Sequence, residues 1–85
     1  MLRIEQIRAA RALLGWRQED LARAADVGVA TVRRLETSEN FASGNVSTLS
    51  KIEQAFERAG VQFLYADALN GIGVRLSLTK RSKKS

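Results

Sequence analysis

Cysteine, histidine and proline are all missing from this chain of 85 residues. Without the first two there can be no disulfide, no thiolate or imidazole metal ligand, and no catalysis built on either group. The nine Asp and Glu fall mostly on helix surfaces or at helix starts, where a solvated or dipole-compensating role is the ordinary one. No nucleophile–base pair stands out, so neither an enzyme nor a bound metal or other cofactor is expected. No apolar stretch approaches the roughly 20 residues that span a bilayer, and no membrane partner is expected. No proline, repeat or low-complexity run marks a second domain. A chain of this length is near the lower size at which a core sustains itself without staples.

Charge is present but unevenly spread. The net charge is +5, yet four of the fourteen cations, Lys80, Arg81, Lys83 and Lys84, sit in the last six residues. Without them the cations exceed the acids by only one. The basic balance therefore describes the tail, residues 80–85, which reads most simply as a solvated, disordered end, with a polybasic arm touching phosphates as the alternative.

What the chain does have is a pattern over Gln18–Glu36, QEDLARAADVGVATVRRLE. Leu21, Ala22 and Ala25 recur at helical spacing, Val27 falls in a three-residue break, and Val32 and Leu35 stand three apart on a second short helix. These side chains can close one small core between two steeply crossing helices, with Ala22 small enough for close approach. The other face of the second helix carries Val29, Ala30, Arg33, Arg34 and Thr37. Arginines for guanine edges and small apolar groups for thymine methyls suit a helix laid in the major groove of DNA.

The stretch resembles the helix-turn-helix of lambda-repressor-like regulators, the Cro and xenobiotic-response-element type. Gln18 opens the first motif helix, Leu21-Ala22 follow, Val27 lies in the turn, and Thr31-Val32 and Arg34-Leu35-Glu36 complete the match. Asp26 stands where the family usually has Gly, and Gly28 where it favours Ser. The resemblance implies a four- to five-helix DNA-binding core over residues 1–60, and double-stranded DNA as partner. It places Gln18, with Arg17 beside it, on phosphates, and Val29, Ala30, Arg33 and Arg34 on bases and flanking backbone. Arg34 is the expected guanine contact, and Thr31 and Thr37 are weaker candidates. It also implies an ion pair between Arg11 and Glu36. The family often has cations in the loop after the recognition helix; here that loop offers Glu39, Asn40, Ser43 and Gly44.

Elsewhere the apolar spacing predicts a first helix over Ile4–Leu14, with Ile4, Ile7, Ala10 and Leu14 inward and Gly15 as its stop. The recognition helix should run from Val29 to about Thr37. SENFASG reads as a polar loop holding Phe41 as a core anchor. Asn45 is the expected N-cap of a helix with Val46, Leu49, Ile52, Phe56 and Ala59 inward, ended by Gly60.

Then the period changes to two. Val61–Ala66 and Ile72–Leu78, on either side of Asn70-Gly71, predict a β-hairpin over residues 61–79. Its apolar row Ile72, Val74, Leu76 and Leu78 is long for so small a protein. Pairing of two copies through residues 61–78 would bury it; folding onto the chain's own helices is the alternative. The fold expected is mainly α, with a C-terminal hairpin. The function expected is a dimeric repressor in the cytoplasm of a bacterium or phage host, associated with the nucleoid. The alternative is the antitoxin of a toxin–antitoxin operon, binding a toxin as well as its operator.

Overall fold

A computed structural model describes residues 2–78 and carries five helices and two strands. These are α1 (Ile4–Leu14), α2 (Gln18–Ala25), α3 (Val29–Leu35), α4 (Glu39–Ser43), α5 (Val46–Arg58), β1 (Val61–Leu64) and β2 (Gly73–Leu76). The basic tail expected at 80–85 lies outside the described residues.

The first helix starts and stops where its sequence predicts. Gly15 takes the left-handed conformation (φ 67°) that lets the chain turn, and the Trp16 N–H returns to the Arg11 carbonyl. Ile7 and Ala10 are buried and Ile4 and Leu14 partly so, as their spacing requires. Gln6 is buried with them, which no apolar periodicity would suggest. Helix α5 contributes Leu49, Ile52, Ala55 and Phe56. Ile7, Leu21, Leu35, Ile52 and Phe56 are shielded almost completely, each stabilising the fold by about 1.5–3 kcal/mol. A column of rings ties the layers together: Trp16 stacks on Phe56 at 5.7 Å, and Phe56 meets Phe63 edge-on at 5.9 Å.

Two expectations need correction. SENFASG is not a loop but α4, because the Ser38 hydroxyl accepts from the Phe41 N–H and caps a five-residue helix. Asn45 is the N-cap residue of α5 as expected, although its side chain makes no cap bond and its amide donates instead to the Phe41 carbonyl at 2.6 Å. Val46, at the first position of α5, is exposed rather than inward.

The hairpin forms, with shorter strands than the alternation suggests. Its register pairs Val61 with Leu76, Gln62 with Arg75, Phe63 with Val74 and Leu64 with Gly73. Asn70-Gly71 is not a two-residue turn; residues 65–72 connect the strands. The Asp67 carboxylate accepts from the N–H groups of Leu69 and Asn70, and those bonds hold it below the usual carboxylate range. One sheet face carries Val61, Phe63 and Val74 onto α1 and α5 of the same chain. The row predicted from Ile72 to Leu78 is thus divided: Val74 packs inside, and Ile72, Leu76 and Leu78 stay exposed.

Candidate nucleic-acid interface

The α2–α3 pair is built from short-range signals. At the start of α2 the Arg17 N–H donates to Asp20 Oδ2 at 2.8 Å, while Glu19 and Asp20 place negative charge in the first turn. Helix α2 ends at Asp26, whose φ of 58° and ψ of 50° lie in the left-handed region that Asp tolerates better than most residues. Gly28 then opens α3 in an extended conformation, with no side chain to cap it. Leu21, Ala22, Ala25, Val32 and Leu35 are all buried between the two helices.

Behind this pair sits a network closed by the expected ion pair. Arg11 donates from Nε to Glu36 Oε2 at 2.6 Å and from Nη2 to Glu36 Oε1 at 2.8 Å, while Nη1 reaches the Trp16 carbonyl at 3.0 Å. Glu36 is only 4% exposed, so its charge is desolvated and answered by a two-pronged guanidinium. Bonding to Glu36 raises the Arg11 pKa above its already high value. The pair fastens the end of α3 to α1.

Of the residues singled out in the sequence, Arg17, Ala30, Arg33, Arg34 and Thr37 are exposed. Arg33 and Arg34 enter no ion pair among the described residues, which leaves both charges available. The Arg17 guanidinium lies 4.0 Å from Asp20, a loose contact at the surface. Gln18, Val29 and Thr31 are half-buried. Val29 packs against the core, and Gln18 donates to Glu36 Oε1 at 3.1 Å, so its amide is already oriented. Thr37 lies within hydrogen-bond reach of the Arg33 and Arg34 carbonyls and closes the end of its own helix.

The sequence did not show what Phe41 does to Arg34. The guanidinium lies 5.9 Å from the centre of the Phe41 ring, near the outer limit of a cation–π contact. Phe41 is half-buried beneath it, so α4 both plugs the core and supports the arginine. The Ser-x-x-Phe spacing was the available signal: a hydroxyl cap fixes where Phe41 points. As the sequence suggests, α4 offers no cation, and its Glu39 instead faces Arg3 at 3.4 Å.

No helix among the described residues is long and apolar enough to cross a membrane, and none of their acidic side chains cluster as a metal site would require. Residues 7–60 match the model of the helix-turn-helix family. No curated protein and no solved structure matches the chain.

Proposed function

Because the chain belongs to the lambda-repressor-like helix-turn-helix family, one of DNA-binding transcriptional regulators, we propose that it is a dimeric repressor that lays α3 in the major groove of an inverted-repeat operator. The observation that carries this reading is the exposure of Ala30, Arg33 and Arg34 on a helix whose opposite face, Val32 and Leu35, is locked into α2. A helix held on one face and bearing on the other two arginines in no ion pair among the described residues can both grip and read DNA. In this assignment Arg34 reads guanine and Arg33 reaches a base or a phosphate. Gln18 and Arg17 hold the backbone at the start of α2, and Val29, Ala30 and Thr31 read thymine methyls or groove shape. Thr37 lies at the margin.

One short helix spans only a few base pairs, and α4 adds no basic grip. Two copies would double both contributions and set the recognition helices about 34 Å apart, one turn of DNA. Residues 1–60 are accordingly the DNA-binding part and 61–79 the dimerisation part, working in the cytoplasm at the nucleoid. Repression by occlusion needs nothing more than the bound dimer.

Selection of bound sites from random DNA, repeated with variants, tests the reading. Arg34→Ala should cost about 1–3 kcal/mol on the preferred site and relax one base pair. Gln18→Ala should weaken all sequences about equally. An unchanged site preference in Arg34→Ala would reassign that residue to the backbone. The antitoxin alternative draws on Leu69 and Ile72, exposed at the hairpin connection as a second protein would require. A toxin-type gene beside this one, with a product that co-purifies, would decide for it.

A further inference from the structure

We propose that two copies join edge to edge through β2, antiparallel about a two-fold axis at Leu76, to form one continuous four-stranded sheet. The inference rests on the dimer reading above and gives it a register. Antiparallel strands alternate between pairs that exchange hydrogen bonds and pairs that do not. The Ser77 N–H donates to the Gly60 carbonyl at 2.7 Å, one step past the Val61–Leu76 pair. Gly60–Ser77, Gln62–Arg75 and Leu64–Gly73 are therefore the bonded pairs. Gln6 confirms this independently, because its Nε2 reaches the carbonyls of both Leu64 (3.0 Å) and Gly73 (3.2 Å). Only two carbonyls facing into one inter-strand ring lie close enough together for that.

It follows that the N–H and C=O groups of Val74 and Leu76 point away from β1, along the outer edge of β2. No hydrogen bond among the described residues takes them up. An open edge of this kind is a template for another strand. The side chains beside it are apolar and uncovered: Leu76 is 46% exposed and Leu78 fully so.

A second copy is the occupant that fits, and three two-fold registers centre on the open edge at Val74, Arg75 or Leu76. Centring on Arg75 sets two guanidinium groups opposite each other, which is destabilising. Centring on Val74 sets Leu78 opposite Asn70 and leaves the most exposed apolar side chain uncovered. Centring on Leu76 sets Leu76 against Leu76 and Leu78 against Val74. It also sets Arg75 opposite Ser77, whose buried hydroxyl has no partner among the described residues. Ser77 lines a cleft of about 390 Å³ with Gln62, Arg75, Leu76 and Leu78, and the second copy would enter it.

The chain contains no cysteine, so single-cysteine variants report on this directly. Residues facing each other in a bonded pair have Cα atoms about 5.5 Å apart, within the span of a disulfide. Leu76→Cys should form a disulfide-linked dimer about tenfold faster than Arg75→Cys, Val74→Cys or the surface control Lys51→Cys at equal micromolar concentration. The Val74 and Leu76 amides of the unmodified protein should also gain protection from exchange as concentration rises. That measurement holds even if a variant misfolds. Fastest linkage at Arg75 or Val74 overturns the register but leaves the dimer. A wild-type dimer whose variants link no faster than the control, with those amides unprotected, overturns edge pairing alone. A wild-type protein that stays monomeric and binds a single half-site tightly overturns the dimer reading, and the register with it.

Discussion

Helices α2 and α3 are closed by partners a few residues away: Arg17 by Asp20, Val27 by Ala22, Thr37 by Arg33 and Arg34. The hairpin is anchored by Gln6, which lies 58 residues from Leu64 and 67 from Gly73. The first region is closed largely by short-range bonds and is tied to α1 by Arg11 on Glu36. The second lies on α1 and α5, as a hairpin marginal by itself must. Damage to the helix pair should therefore be felt by the whole fold, and damage to the hairpin's anchor mainly by the hairpin.

The largest effect that tests this contrast is expected from Arg11→Met. It leaves the buried Glu36 carboxylate without its guanidinium, and equilibrium denaturation should show a loss of about 3–5 kcal/mol. A change below about 0.5 kcal/mol would mean that α3 is held by its apolar face alone. Next comes Gln6→Met, which keeps the volume but removes both bonds to the hairpin carbonyls. A cost of about 1–2 kcal/mol is expected, with faster amide exchange over 61–64 and 73–76 than in the helices. Equal acceleration throughout would erase the distinction between the two regions.

Smaller again is Asp26→Gly, which relieves a left-handed residue in the helix pair at the position where the family usually carries glycine. A gain of about 0.5 kcal/mol in stability should appear, since glycine adopts that conformation without penalty but loses more freedom on folding. The smallest effect concerns Tyr65, the chain's one tyrosine, whose hydroxyl donates to Glu53 Oε2 at 2.6 Å. Partial burial, then the bond to Glu53, pushes its pKa up to about 12. A raised pKa means stability that is complete below the unfolded value near 10 and is lost as pH rises toward 12. Ultraviolet titration should place tyrosinate formation near 12, and Glu53→Gln should return it toward 10.

Much of this was legible in advance where the signal is local. Gly15 and Asp26 mark the helix ends, the spacing of Leu21, Ala22, Ala25, Val32 and Leu35 defines the contact, and the exposed arginines follow from what remains. Phe41 was readable as an anchor but not as a support for Arg34, because the latter depends on where the Ser38 cap turns the ring. Gln6 was not readable at all. A polar side chain on the first helix looks solvated until the hairpin that covers it is known.

Residues 18–36 by themselves determine two short helices, the turn between them, and the face left open to solvent, because caps and apolar periodicity act within one or two turns of chain. Only the tertiary structure decides that Gln18 leans on Glu36 and that Val74 is spent on the chain's own core. It alone also decides that the edge of β2 is open at Val74 and Leu76. Those outcomes depend on contacts between segments tens of residues apart, and the hydrogen-bonding parity of a strand depends on its partner's register, which no local pattern encodes.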